Sequence, residues 1–311
     1  MHRSVFALAS VALVFSGCDF INGGGGGGGT GGGGGSTAIP FTDGFTFVRK
    51  DDRNVYLVDD KDTDVVGTLT STANVRTPSF SADKRRVVFV RGTGESSEIA
   101  VVPVAGGAAS VVVSATSAMR DLRTPVFSPD GTTVAFGYSN NGTGEIGLVN
   151  VDGTNLRSLG ANGVLAYASP TFTPDGSAVI VAAGNAGLSL TQVERLTIST
   201  GMATSVTNTL GNTAVDIANR IVVSPDGTKA AFDARVSSGE SRIFVLDLSS
   251  KVVTQVAPGE LGANDTFPCW VNNTTLAYSS DAGGNDNLYT VALGAMPTLA
   301  LPKAVEPWYS R

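Results

Sequence analysis

The sequence repeats itself, and the repeat limits the possible folds more than any other feature. The pentapeptide Phe-Ser-Pro-Asp-Gly begins at Phe127, and close variants of it begin at Phe172 and Val223. Weaker copies begin at Phe80 and Trp270, so that successive copies are 47, 45, 51 and 47 residues apart. A period of this length is typical of β-propeller blades, which are four-stranded sheets of about 40–50 residues each.

Each Pro-Asp-Gly triplet predicts a tight turn between two strands. Proline presets φ, the aspartate side chain accepts a backbone hydrogen bond, and glycine adopts the left-handed conformation that closes a bulged hairpin. Alternating apolar residues on both sides of each triplet predict the flanking strands. We therefore assign a structural role, not phosphate or metal binding, to Pro129-Asp130-Gly131, Pro174-Asp175-Gly176 and Pro225-Asp226-Gly227.

The two ends of the repeat region complement each other. The C-terminal Pro307-Trp308-Tyr309-Ser310 resembles Pro125-Val126-Phe127-Ser128, whereas Asp43-Gly44 resembles the part of the repeat that comes next. We predict that the C-terminus supplies the innermost strand of a blade whose other strands come from residues 43 to about 71. Five internal blades and this composite blade give an all-β fold, a six-bladed β-propeller closed by pairing of its N- and C-terminal segments.

The repeated pentapeptide is followed, five residues after its glycine, by an aromatic residue such as Phe136. This pattern resembles the repeat of TolB-like β-propellers, which are related to the WD-repeat propellers. The resemblance extends over about residues 43–311 and implies the propeller fold. TolB proteins carry an α/β domain before the propeller, whereas this chain is expected to have only a tether there. A role in the Tol–Pal system therefore does not follow from the resemblance, and whether the chain works with such a system is left open.

The N-terminus is typical of a bacterial lipoprotein signal. A basic start with Arg3 is followed by an apolar core at residues 5–15, which is too short to span a bilayer of about 30 Å. Phe15-Ser16-Gly17 then precedes Cys18 and resembles the lipobox, whose cysteine is lipidated before cleavage. We predict a signal peptide at residues 1–17 and lipidation of Cys18, with the choice between inner and outer membrane left open.

Residues 18–40 are predicted to form a flexible tether. Positions 23–35 are twelve glycines interrupted only by Thr30. Such a segment has no apolar side chains to bury, and ordering its backbone costs the most conformational entropy. A flexible chain of some twenty residues reaches about 25 Å. We therefore expect the folded body, residues 41–311, to be held near a membrane without being embedded in it, in the periplasm or at the cell surface.

The residue types favour binding over catalysis. The chain has 21 basic and 27 acidic residues, a net charge of −6, which argues against binding nucleic acid through its phosphates. The only histidine is His2, inside the predicted signal peptide, and Cys269 is predicted to be buried on an innermost strand. The mature chain thus has no Ser–His, Cys–His or His–metal arrangement. We expect a monomer without enzymatic activity, cofactor or metal; a hydrolase or lyase is the least favoured alternative.

The predicted binding surface is the rim of one mouth of the propeller channel. Loops on a rigid scaffold commonly carry binding residues, and the loops that lead into the innermost strands surround this mouth. We predict that their charges either form loose solvated pairs or dock an envelope protein, with a glycan as the alternative ligand. The charged residues in these loops are Arg76, Asp121, Arg123, Asp216, Arg220, Asp265 and Glu306.

Overall fold

The computed structural model describes residues 41–72, 74–160, 163–207, 209–210, 214–256 and 262–310. The predicted signal peptide and tether, including Cys18, lie outside these ranges. Within them the chain forms 24 strands in six four-stranded antiparallel sheets and two short 3-10 helices, Gly94–Ser96 and Ala282–Gly284. The prediction of an all-β, six-bladed propeller of four-stranded blades is confirmed.

The first three blades are built from the N-terminal half of the described chain. Blade 1 contains β1 (Gly44–Arg49), β2 (Val55–Asp59) and β3 (Asp62–Thr68). Blade 2 consists, from the innermost strand outward, of β4 (Val75–Phe80), β5 (Arg86–Arg91), β6 (Glu98–Pro103) and β7 (Ser110–Ser114). Blade 3 consists in the same order of β8 (Arg120–Phe127), β9 (Thr133–Asn140), β10 (Thr143–Asn150) and β11 (Arg157–Leu159).

The other three blades follow in chain order with the same arrangement. Blade 4 consists of β12 (Leu165–Phe172), β13 (Ala178–Asn185), β14 (Gln192–Thr197) and β15 (Ala203–Thr207). Blade 5 consists of β16 (Ala214–Val223), β17 (Lys229–Val236), β18 (Ser241–Asp247) and β19 (Val253–Gln255). Blade 6 consists of β20 (Asp265–Asn272), β21 (Thr275–Ser280), β22 (Asn287–Ala292) and β23 (Thr298–Pro302).

The innermost strand of blade 1 comes from the other end of the chain, as β24 (Ala304–Tyr309). It pairs antiparallel with β1, with Phe45 opposite Tyr309. The Gly44 amide also donates a hydrogen bond to Ser310 Oγ at 2.9 Å. The predicted closure is confirmed, and it pairs the inner edge of blade 1, which an unclosed ring would leave free.

The Pro-Asp-Gly triplets lie in the turns between the innermost and second strands. Gly131 has a φ of +68°, and its amide donates to the Ser128 carbonyl at 2.8 Å. Asp130 Oδ1 accepts a hydrogen bond from the amide two residues ahead at 3.0 Å. In the equivalent turns, hydrogen bonds from neighbouring hydroxyls and amides lower the pKa of Asp175 and of Asp226 to about 2. These carboxylates are therefore ionised acceptors that fix their own turns.

Every innermost strand contains a β-bulge, at which its pairing with the second strand shifts register. Proline has no amide to donate to the ladder, so a bulge is where such a strand can accommodate it. In five of the six strands the residue before proline has a left-handed backbone, with φ between 45° and 55°: Thr77, Thr124, Ser169, Phe267 and Glu306. A left-handed backbone at a residue other than glycine costs on the order of 1–2 kcal/mol, and the packing of the ring must offset this strain.

The core lies between adjacent blades. One apolar cluster runs through all six blades, and three smaller clusters join blades 2 and 3, blades 4 and 5, and blades 6 and 1. Fully buried rings such as Phe136 and Phe232 contribute to them, each worth roughly 1.5–3 kcal/mol. The Trp270 indole donates to the Val222 carbonyl of the neighbouring blade at 3.0 Å. The structure places Cys269 on β20 and buries it, as predicted.

Removing β24 tests whether the ring depends on its closure. We expect a chain that ends at Lys303 to melt at least about 10 °C lower, because loss of a buried tryptophan such as Trp308 alone costs about 3–5 kcal/mol. Thermal unfolding followed by circular dichroism measures the change. The full-length Lys303→Ala variant, altered at an exposed side chain just before the strand, is the control. An unchanged melting temperature in the truncated chain would contradict the closure.

Candidate functional site

The seven charged residues predicted at the rim lie on innermost strands and not in the loops before them, so their predicted placement in loops is wrong. The bulges explain the difference, because the ladder resumes beyond each bulge and extends the strand toward the mouth. Three of the seven are also buried, which is contrary to a rim of solvated charges. These three are Arg220, Asp265 and Glu306, with relative exposures of 3%, 5% and 6%.

Arg76 joins two blades at this mouth. Its guanidinium donates to the Gly92 carbonyl at 2.7 Å and to the Leu122 carbonyl of blade 3 at 3.1 Å. Burial lowers the pKa of Arg76, while the carboxylates of Glu306 and Asp121 act in the opposite direction. Arg76 is therefore a half-buried tie between blades, with its charge balanced by carboxylates at the mouth.

Glu306 lies at the centre of the same group. Its carboxylate accepts hydrogen bonds from Arg53 Nη2 at 2.9 Å and from the Thr77 amide of blade 2. Its own amide donates to Ser279 Oγ of blade 6 at 2.8 Å. The side chain and the backbone amide of this one residue together connect three blades. We call Arg53, Arg76, Asp121, Arg123 and Glu306 together the charged mouth.

Arg123 and Asp121 complete the charged mouth on blade 3. Both side chains are exposed, and Asp121 Oδ1 accepts a hydrogen bond from the Gly94 amide at 3.1 Å. Arg123 Nε donates to the Asp121 carbonyl at 3.1 Å. Both Arg53 and Arg123 act electrostatically on Arg76. The structure therefore brings together four of the predicted residues and adds Arg53, which sequence reasoning missed.

Arg220 lies deeper in the channel than the charged mouth. We call this level the waist; Thr77, Thr124, Ser169 and Trp308 line it together with Arg220. Arg220 Nη1 donates to the Pro307 carbonyl at 2.6 Å, and its guanidinium lies 5.2 Å from the ring centre of Trp308 and 5.3 Å from that of Phe267. Burial lowers its pKa. Arg220 of blade 5 thus reaches past blade 6 to β24 and lines the channel there.

Asp233 supports this arginine, and sequence reasoning missed it. Blade 5 has Arg220-Ile221 where the other innermost strands have a residue followed by proline, and the backbone at Arg220 is not left-handed. Asp233 accepts hydrogen bonds from the Arg220 amide at 2.8 Å and from the side-chain amide of Asn219 at 2.6 Å. The missing proline is the sequence signal that could have revealed this exceptional blade.

Asp216 and Asp265 do not join the charged mouth. Asp216 accepts a hydrogen bond from the Leu190 amide of blade 4 at 2.7 Å and forms an ion pair with Arg235 at 3.2 Å. Burial raises the pKa of Asp265. The contacts of Asp216 hold strand and loop segments of blades 4 and 5 together.

The opposite mouth of the channel is an apolar funnel around a cavity of about 250 Å³. Aromatic rings at the ends of the innermost strands, such as Phe127 and Phe172, line it together with Trp308 and the prolines of the turns. Sequence reasoning assigned the repeated motif only to turns and blade packing, and so missed this surface. The repeat could have indicated this apolar surface, because the first residue of each copy, such as Phe127 or Phe172, recurs once per blade around the channel axis.

Within the described ranges, His, Cys, Asp and Glu side chains form no group of three or more that could hold a metal ion. No helix in the same part of the chain has the length and apolar character needed to cross a membrane.

The repeat and the ring together resemble known proteins. The family model of the TolB β-propeller domain matches residues 36–220. The chain belongs to the TolB β-propeller family. This confirms the resemblance found in the repeat.

Solved structures show the same fold. TolB from Acinetobacter baumannii matches with a TM-score of 0.68 and 21% identity over 86% of this chain, which spans 66% of that protein. A putative TolB from Agrobacterium tumefaciens matches with a TM-score of 0.60 and 14% identity, over 84% of this chain and 89% of that one. An oligogalacturonate lyase in complex with manganese has a TM-score of 0.50 and 14% identity over 82% of this chain and 97% of its own, so the fold also occurs in enzymes. No curated protein matches the chain.

Asp233 makes the stability of the fold depend on pH. Burial raises the pKa of Asp233 to about 6 from its ordinary 3.8, although its hydrogen bonds and Arg220 act in the opposite direction. The folded chain therefore binds this proton more tightly than the unfolded chain does. The contribution of this proton to the free energy of unfolding is fully present below about pH 4 and is lost as the pH rises through about 6.

A comparison with Asp233→Asn isolates this effect. Relative to the variant, the free energy of unfolding of the wild type should fall by up to about 3 kcal/mol between about pH 4 and pH 7, at about 1.4 kcal/mol per unit of pKa shift. Urea unfolding at a series of pH values measures both proteins. A difference that does not change with pH would contradict the raised pKa.

Proposed function

We propose that this chain is a non-catalytic binding scaffold of the bacterial envelope and that the charged mouth recruits a protein partner. The observation that carries the proposal is the gathering of Arg53, Arg76 and Arg123 at one end of the channel, on strands and turns that the closed ring holds rigidly. Side chains fixed on a rigid scaffold bind with little loss of conformational entropy.

The carboxylates of the charged mouth are already engaged within the protein. Glu306 accepts hydrogen bonds from Arg53 and from the Thr77 amide, and Asp121 accepts one from the Gly94 amide. Arg123, in contrast, bonds its guanidinium only to a nearby carbonyl, among the described residues, and is exposed. The mouth therefore presents the Arg123 guanidinium to a partner. This suits a partner surface with carboxylates, and arginine is enriched at the centres of protein interfaces.

The proposal includes a lipid anchor at Cys18 and a tether over residues 18–40. The sequence Phe15-Ser16-Gly17 before Cys18 and the glycine run at residues 23–35 support it. A tether with a reach of about 25 Å would confine the propeller to the neighbourhood of the membrane and so raise the effective concentration of an envelope partner.

Charge reversal at Arg123 tests the role of the mouth. Arg76 is a poor choice for reversal, because it bonds the Gly92 and Leu122 carbonyls and its loss would also weaken the ring. We expect Arg123→Glu in the full-length chain to lower the crosslinked yield of its partner in the native envelope at least about tenfold, as loss of an interface hot spot does. Crosslinking followed by mass spectrometry identifies and quantifies the partner.

The control for this experiment is Arg85→Glu. Arg85 is also an exposed arginine, but it lies in the β4–β5 turn at the opposite face of the ring. The control should retain the wild-type yield, and both variants should retain the wild-type melting temperature. Equal yields from Arg123→Glu and Arg85→Glu would overturn the proposal for this mouth. A Cys18→Ser variant tests the anchor separately, since it should leave the membrane fraction.

A further inference from the structure

The waist of the channel contains a small cavity between the charged mouth and the apolar funnel, and both polar and apolar side chains line it. About 10 Å³ of it is open to the centre of a water-sized solute, which leaves room for one small solute. Thr77, Thr124, Ser169, Arg220 and Trp308 line it, and they come from five different blades. A solute held there would contact most of the ring at once.

Two hydroxyl groups at this cavity lack protein partners. The Oγ1 atoms of Thr77 and Thr124 are buried and make no hydrogen bond to any described residue. The side chains themselves are more than nine-tenths buried, at 5% and 7% exposure. By contrast, Ser169 Oγ donates to the Asn219 carbonyl at 2.6 Å. Buried hydroxyls nearly always have a partner, so the two threonines indicate a bound solute.

The charge at the waist indicates what kind of solute this is. Within the described chain, no carboxylate oxygen lies within 4.0 Å of the buried Arg220 guanidinium. Asp233 is occupied by the backbone of Arg220 and by Asn219, and Glu306 by Arg53 and a backbone amide. A buried cation is normally paired with an anion.

The wider charge balance points in the same direction. Besides Cys269, which acts electrostatically on Arg220, the groups that act in this way on Arg76 or Arg220 are the arginines Arg53 and Arg123 and the carboxylates of Asp121, Asp233 and Glu306. With Arg76 and Arg220 themselves, four arginines thus face three carboxylates along the channel. A single negative charge at the waist would balance them, whereas a water molecule would satisfy the hydroxyls without changing the balance.

We propose that the waist of the channel is a binding site for one small monovalent anion of the size of chloride. The Arg220 guanidinium supplies the positive charge, and the Thr77 and Thr124 hydroxyls donate hydrogen bonds to the anion. Because these residues come from blades 5, 2 and 3, the bound anion links blades that do not all touch each other and stabilises the closed ring.

Halide-dependent stability tests the site in the full-length protein. Chloride at about ten times its dissociation constant should raise the melting temperature by about 3–6 °C over sodium gluconate at the same ionic strength. The Thr77→Val/Thr124→Val double variant should lose this difference, since valine has nearly the shape of threonine but donates no hydrogen bond. Thr254→Val, at an exposed threonine on the outermost strand β19, is the matched control and should keep the difference.

Crystals grown in sodium bromide give the direct result. We expect an anomalous peak at the waist, within hydrogen-bond distance of Arg220 and both threonines, and no peak there in the double variant. Water at the waist without a bromide peak would overturn the proposal, as would equal melting temperatures in chloride and gluconate. Arg220→Gln should also lose the chloride effect, and if that variant does not fold, the double variant still decides the matter.

Discussion

The antiparallel pairing of β24 with β1 is the constraint on which the other features of this propeller depend. It closes the ring, and it also places β24 along the full length of the channel. Glu306 of this strand connects three blades at the charged mouth, the Pro307 carbonyl receives Arg220 at the waist, and Trp308 lines the apolar funnel. Six C-terminal residues therefore build part of every level of the channel.

The channel surface is shaped by the bulges of the innermost strands. In five blades a left-handed residue before proline turns the strand, and Thr77 and Thr124 occupy this position at the waist. Blade 5 lacks the proline, and there Asp233 accepts the backbone amide of Arg220, whose side chain crosses the channel. Departures from a repeat often mark functional positions, and the channel arginine arises where this repeat is broken.

The blade number, the closure and the turns could be predicted from the sequence, because each follows from local patterns that recur with a fixed period. The site could be predicted only in part. The sequence predicts that Arg76 and Arg123 lie at the mouth where the chain enters the innermost strands, and they lie there. The burial of Glu306, however, depends on contacts such as that with Arg53, 253 residues away in sequence. The reach of Arg220 to Pro307 likewise joins residues 87 apart. No local pattern contains these contacts, since they form only when the ring closes.

We propose that the charged mouth, and not the funnel, meets the partner. Site-specific photocrosslinking in living cells tests this directly. A photoreactive amino acid is placed at the exposed position 95, beside the Gly94 amide that bonds Asp121 of the charged mouth, so that Arg123 is kept, or at the exposed position 85 of the opposite face. We expect one defined protein adduct from position 95 and none from position 85. Adducts from position 85 alone, or in equal amounts from both, would contradict the proposal.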